Sequence, residues 1–239
     1  FFGKEVGCMR CGVLLLSFTP RPDAVVAAAA KLCYSDVSAA DLLSDESSEK
    51  MRGLLRHIRA SGHFSPFEHA SFTFAVDGLS RVTSHQLVRH RIASFSQQSQ
   101  RYVTMGEPDV VVPPSIAERP ELTDGFLEMT RSAHAFYRKL VESGVPKEDA
   151  RYILPHGWST RLVMTMNARE LHHFFTLRLC RRAQWEIRNL AREMLLAVRE
   201  AAPLLFETAG PSCLVRGRCE EKSPCGRPFA SLEELLDDN

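Results

Sequence analysis

No apolar run in the chain comes near the roughly twenty residues a helix needs to cross a bilayer. The longest, Gly12–Leu16 and Ala24–Ala30, are short. Nor does a basic stretch lead into an apolar one in the manner of a secretory signal. Charge of one sign is also lacking: 30 Lys and Arg stand against 29 Asp and Glu, a net charge of +1. That balance argues against a protein that lives on nucleic-acid phosphates, although it leaves room for a local basic site. The glycine signatures of common nucleotide enzymes are missing. No GxGxxG opens a helix after a strand and no GxxxxGK[ST] occurs, which excludes a Rossmann cofactor site and a P-loop. No HExxH and no GxSxG occurs either.

What remains is ordinary globular protein. Of 239 residues, 44% are hydrophobic, 25% charged and 8% aromatic, values that rule out collagen-like, disordered and coiled-coil chains. Seven cysteines, an odd number, fit free thiols in a reducing cytoplasm better than a disulfide framework. Residues 1–8 carry no pattern and read as an extra segment ahead of Met9, followed by a single domain over 9–207 and a cysteine-containing tail over 208–239.

Patterning predicts strands at Gly12–Phe18, Ser71–Asp77, Gln100–Thr104 and Ser159–Met166. Helices are expected from Asp23, as cap, to Cys33, and over Ser44–Ser61, Ser80–Ile92, Glu121–Ser143, Lys147–Leu154, Ala168–Arg178 and Arg182–Ala201. Gly62 is the stop after the second of these. The mixture describes one α+β domain.

The chemistry concentrates in Arg89-His90-Arg91-Ile92-Ala93-Ser94-Phe95-Ser96-Gln97-Gln98-Ser99-Gln100-Arg101-Tyr102. Arginine forks suit phosphate and carbonyl oxygen. Glutamine forms paired hydrogen bonds to an amide-like edge such as uracil. Two readings stand: a nucleotide pocket, or a solvated polar connection. A second segment starts at Asn167-Ala168-Arg169. Beyond it, Leu171, Phe174, Phe175 and Arg178 share a helical face. An arginine on an apolar stripe needs an anion or an acceptor, so Arg178 either meets a ligand or pairs with a carboxylate across the core. His172 and His173, being adjacent, point to different faces, which argues against a shared metal site. No metal is expected; Cys213, Cys219 and Cys225 at intervals of six offer only a weak alternative, with Cys180 or a histidine to complete it.

These residues resemble a known family. Arg89-His90-Arg91, seven residues and then Ser99 match the RHRx7S signature of flavin-dependent thymidylate synthases, the ThyX family. The likeness extends to Gly62-His63-x-Ser65-Pro66-Phe67-Glu68-His69, Ala150-Arg151-x-x-Leu154-Pro155, Asn167-Ala168-Arg169-x-Leu171, Leu177-Arg178 and Arg182-Ala183-Gln184-Trp185-Glu186, in order, over about Met9 to Glu207.

The resemblance implies a mixed, mainly antiparallel sheet flanked by helices. It implies a homotetramer whose active sites lie at subunit interfaces, with neither nucleic acid nor membrane as partner. The implied reaction converts dUMP to dTMP with FAD as cofactor, methylenetetrahydrofolate as carbon donor and NADPH as reductant. Ser65, Glu68, Arg89, His90, Arg91, Gln97, Asn167, Arg169 and His173 are the implied FAD contacts. Gln86, Arg89, Gln97, Ser99, Gln100, Arg101, Arg151 and Arg178 are the implied dUMP contacts. Arg178 and Ser99 are the implied catalytic pair, Arg178 favouring the ionised uracil ring and Ser99 positioning the nucleotide rather than attacking it. The only Pro-Cys, Pro224-Cys225, is followed by Gly226 instead of the His that accompanies the nucleophile of the classical thymidylate synthases.

Overall fold

The computed structural model describes residues 11–44 and 47–238. The expected segment 1–8 therefore lies outside the described residues. The elements, in chain order, are β1 (Gly12–Phe18), α1 (Pro22–Leu32), α2 (Ala39–Ser44), α3 (Ser48–Ala60), β2 (Ser71–Ser80), α4 (Arg81–Leu87), β3 (Ala93–Gln97), α5 (Pro114–Ala117) and α6 (Pro120–Glu142). They continue with α7 (Lys147–Ala150), β4 (Ser159–Asn167), α8 (Ala168–Arg178), α9 (Trp185–Ala201), α10 (Ser212–Val215) and α11 (Leu232–Asp237). The four strands form one antiparallel sheet in the order β1-β2-β4-β3. This is the α+β architecture the sequence implies. Among the described residues no helix is long and apolar enough to cross a membrane.

Local chemistry explains most boundaries. α3 starts where Ser47 Oγ accepts from Lys50 N. It ends at Gly62, whose φ of +74° only glycine adopts without strain. The expected helix over Ser44–Ser61 is thus α3, starting at Ser48, and α2 is a separate short helix ahead of it. Asp23 does not cap α1. The cap position is Arg21, and the Asp23 carboxylate accepts from Leu204 N and Leu205 N, tying α1 to the segment after α9.

α4 stops at Leu87, short of the expected Ile92, because His90 turns into the interior. Gln100–Thr104 is not a strand. Ser99 Oγ accepts from Arg101 N and Ser99 O from Val103 N, a local turn that competes with sheet pairing. The strand is instead β3, where Ala93, Phe95 and Gln97 are half-buried between exposed Ser94 and Ser96. α9 begins at Trp185, since Gln184 Oε1 accepts from both Glu186 N and Ile187 N.

The described chain forms two compact units. One holds 76–89 and 96–163 with Cys11 and Gly12; the other holds 13–44, 47–75, 90–95 and 164–238. The first is built on Met105, Tyr137, Ala150, Leu154 and Trp158, packed by Leu140, Val141 and Val145. His134 joins it, stacked on Tyr137 with Nε2 against Met105 O. The second centres on Phe206, which meets Phe72, Phe175 and His172 at ring separations of 5.2–6.0 Å. Val26, Leu55, Ile58, Leu171, Leu190, Met194 and Val198 are buried in the same unit. They are referred to below as the Tyr137 unit and the Phe206 unit.

Candidate active site

In the Phe206 unit, β4 runs directly into α8. Asn167 is both the last strand residue and the N-cap, its Oδ1 accepting from Glu170 N at 2.9 Å. This leaves the Asn167 amide nitrogen to donate elsewhere and fixes the backbone of Glu170. The Glu170 side chain is buried, and its Oε1 lies 2.9 Å from His90 Nδ1. On the other edge of the same imidazole, Arg178 Nε donates to His90 Nε2 at 3.0 Å.

An arginine Nε–H can only donate, so His90 Nε2 carries the lone pair and the ring proton sits on Nδ1, donated to Glu170. His90 is therefore neutral. Burial pushes its pKa below the ordinary histidine value; the Glu170 hydrogen bond and charge oppose this, and Arg178 and His173 reinforce it. Burial likewise lowers Arg178. The expected choice for Arg178, ligand or carboxylate, thus has a third element: a neutral imidazole accepts from its Nε. Phe174 and His173 pack on the His90 ring at 4.9 and 5.8 Å.

The two adjacent histidines do face apart. His172 is enclosed by Phe67 and Phe206, with Nε2 against Leu205 O and Nδ1 buried without a partner. Burial, helped by the charge of Arg59, depresses its pKa to about 3. His173 is exposed. Arg169, at the first turn of α8, pairs with Glu68 on the short 3₁₀ turn Ser65–His69, and Ser65 and Arg91 are exposed. Of the expected FAD contacts this unit holds Ser65, Glu68, His90, Arg91, Asn167, Arg169 and His173, and it also holds the hydrogen-bonded chain Glu170–His90–Arg178.

The Tyr137 unit carries Gln86, Arg89, Gln97, Ser99, Gln100, Arg101 and Arg151. Gln97 Nε2 donates to Thr160 Oγ1 on β4 at 3.3 Å. Arg101 and Arg151, fifty positions apart, are brought together at Glu148. Arg101 Nε donates to its Oε2 at 2.8 Å, and Arg151 Nε donates to its backbone oxygen at 3.0 Å. Lys147 Nζ donates to Tyr102 O nearby. Arg81, at the start of α4, has its pKa lowered by burial and then by the charge of Arg151. Four cations thus share one neighbourhood, a donor set suited to a phosphate.

Sequence reasoning missed Arg81, Glu148 and Glu170. For Glu170 a signal existed: Asn167 followed three residues later by Glu is a capping pattern, although here the carboxylate turns to His90. The weak metal alternative is not supported. Among the described residues no three His, Cys, Asp or Glu side chains are set to hold a metal, and Cys213, Cys219 and Cys225 are free thiols. Cys180 lies within electrostatic reach of Cys213 and Cys225; burial, and then these neighbours, raise its thiol pKa, yet these thiols are not set to hold a metal.

Comparison with known proteins gives one answer. A family model described as thymidylate synthase complementing protein matches residues 14–204. The chain is 51% identical over 219 residues to a flavin-dependent thymidylate synthase of Geobacter sulfurreducens, covering 90% of this chain and 94% of that one. It is 46% identical over 242 residues to one of Clostridium tetani, covering 94% and 96%. Among solved structures it is similar to the UMP/dUMP methylase PolB of Streptomyces cacaoi bound with 5-Br dUMP. That likeness has a TM-score of 0.71 and 29% identity, and covers 82% of this chain and 93% of that one.

Proposed function

Because the chain belongs to the flavin-dependent thymidylate synthase family, we propose that it converts dUMP to dTMP, with FAD as cofactor, methylenetetrahydrofolate as carbon donor and NADPH as reductant. The observation that carries the chemical reading is the Arg178 guanidinium held by a neutral His90.

The donor set suits a flavin dinucleotide. Arg91, Arg169, His173 and Ser65 present exposed donors in one unit, and a pyrophosphate is recognised by such donors without a glycine fingerprint. A bound FAD, once reduced by NADPH, would supply the hydride that reduces the one-carbon unit attached to the nucleotide. The protein's own residues bind and orient. Arg101 and Arg151, with Arg81 beside them, take the nucleotide phosphate; the Arg101 fork already meets an oxyanion, Glu148. Gln86, Arg89, Gln97 and Gln100 complete the nucleotide contacts.

Arg178 faces the uracil ring and stabilises its ionised N3 form, which raises electron density at C5. The lone pair of His90 Nε2 takes the Arg178 Nε–H and so fixes one edge of the guanidinium. A fixed cation in a partly buried site stabilises developing negative charge without reorganisation. Ser99 is a positioning hydroxyl: its Oγ accepts from Arg101 N, and no base adjoins it in sequence to make it a nucleophile.

A homotetramer with interface active sites is part of the proposal. Its support is the apolar surface that the single chain leaves exposed, notably Leu14, Leu16 and Phe18 on β1. Leu122, Met129 and Phe136, spaced by seven on α6, are exposed in the same way. Gel filtration is expected to give a tetramer; a stable, active monomer would contradict it.

The deciding experiment is tritium release from C5-labelled dUMP, with methylenetetrahydrofolate and NADPH, with and without added FAD. FAD-dependent release with dTMP formed is the expected result. Release from labelled UMP instead would move the substrate to the ribonucleotide, a reading favoured by the likeness to a methylase of both. Absence of release and of bound yellow flavin would overturn the enzyme reading.

A further inference from the structure

Glu170 has no role in the reading above, yet it is only 5% exposed and touches the ring that holds Arg178. We propose that Glu170 is a positioning residue: as obligate acceptor for His90 Nδ1–H it forces His90 Nε2 to accept from Arg178, and so aims the Arg178 guanidinium. The proposal rests on the role given to Arg178 under the proposed function.

The argument is one of donors and acceptors. A neutral imidazole has one N–H and one lone pair, and two tautomers exchange them. With the proton on Nδ1, Nε2 meets the Arg178 Nε–H at 3.0 Å as acceptor. With the proton on Nε2, two N–H groups face each other and Arg178 must move. Left to itself the ring favours the proton on Nε2, so a partner must select the other tautomer. An ionised carboxylate does, because it has no hydrogen to offer. The third state, imidazolium, would place one cation against another. The charged or titratable groups around His90 are Glu170, Arg178 and His173. Of these only Glu170 favours the proton, and it acts at Nδ1, the edge away from Arg178. The carboxylate is itself fixed: Asn167 caps its backbone N–H, and α8 carries both Glu170 and Arg178, eight residues apart, so the imidazole bridges two points of one helix.

Glu170→Gln is the informative variant. It keeps size and can still accept, but its amide can turn an NH₂ toward Nδ1 and so stabilise the wrong tautomer. The holoenzyme is compared in two ways. The first is the nitrogen spectrum of isotope-labelled histidine, with the His90 signals assigned by their loss in His90→Gln. The expected wild-type pattern is a protonated Nδ1 and an unprotonated Nε2, with a mixture in Glu170→Gln. The second is steady-state kinetics: kcat is expected to fall about 10- to 100-fold, the scale of a displaced reactive group. The dUMP KM and FAD retention should change less than about threefold, below what a misplaced binding group produces.

A wild-type His90 protonated at Nε2 would overturn the proposal. So would an unchanged tautomer pattern in Glu170→Gln, whatever its kcat. If the pattern shifts as expected but kcat does not fall, the aiming role is refuted as well. Arg178→Ala, assayed in parallel, separates the two levels: full activity there is a failure of the proposed function, not of the Glu170 tautomer lock.

Discussion

Glu170 and Glu148 are both glutamates that organise arginines, one in each compact unit, and they do so in opposite environments. Glu170 is buried, and the ring it holds, His90, has 3% of its side chain exposed. Glu148 and its partner Arg101 are about half exposed, 49% and 51%. In the first case each hydrogen bond is obligatory, since a buried donor without an acceptor costs about 1–3 kcal/mol. The arrangement therefore dictates a protonation state. In the second case water replaces either partner, and an exposed pair contributes about 0–1 kcal/mol. That arrangement dictates no protonation state; it gathers positive charge where an incoming anion can exchange with a carboxylate. Under the proposed function, burial suits the Phe206 unit to chemistry and exposure suits the Tyr137 unit to capture.

The contrast can be broken most decisively at Arg178. Arg178→Ala is expected to lower kcat about 100- to 1,000-fold, the scale of a lost preorganised donor, while FAD remains bound. Full turnover in that variant would remove the distinction between the units.

Acid is the next probe. His172 has a pKa pushed down to about 3, whereas the unfolded chain keeps the ordinary value near 6.5. Between those values the unfolded state binds more protons, so stability is fully present above pH 6.5 and is lost as pH falls. The slope is about 1.4 kcal/mol per pH unit for one such group. The lowered pKa of His90 acts in the same direction. Urea midpoints measured from pH 7 to about pH 4 should fall, and His172→Gln should flatten the fall. A pH-independent midpoint in the wild type would sink the burial argument.

The exposed side is sharpened by Arg101→Ala and Arg151→Ala. Each should raise the dUMP KM about tenfold, the loss of one charged hydrogen bond, with unfolding free energy changed by less than about 1 kcal/mol. Added salt should shrink the KM difference between each variant and the wild type. A large drop in thermal stability would place these arginines among the structural residues instead. The smallest effect belongs to the α8 cap. Asn167→Ala should cost about 1 kcal/mol of stability, read as a lower denaturant midpoint.

How much of this could be read in advance varies along the chain. Gly12–Phe18, the alternation after Ser71, and the face shared by Leu171, Phe174, Phe175 and Arg178 all carried a period that survived folding. The first two strands and the site helix were legible for that reason, and β4 was legible from its apolar, β-branched composition over Ser159–Met166. β3 carried a period too, but its half-buried positions are Ala93, Phe95 and Gln97, too polar to stand out beside the basic signature. The turn at Ser99 was hidden because a hydroxyl competing for backbone N–H groups leaves no mark in hydrophobic pattern. The signature residues themselves were legible; their partners were not. Arg101 meets Glu148 and His90 meets Glu170 across 47 and 80 positions, and no local spacing encodes either pairing.

The division of the chain between its units also bears on how the protein is made. The chain passes from one unit to the other after residues 12, 75, 89, 95 and 163, four of those crossings falling inside β1, β2, β3 and β4. Neither unit is a contiguous stretch of polypeptide. On the ribosome, α1 and α3 emerge early but lack Phe206 and α9 until nearly the whole chain has been translated. The Tyr137 unit, whose last segment ends at Val163, is complete in the nascent chain well before the unit that holds Arg178.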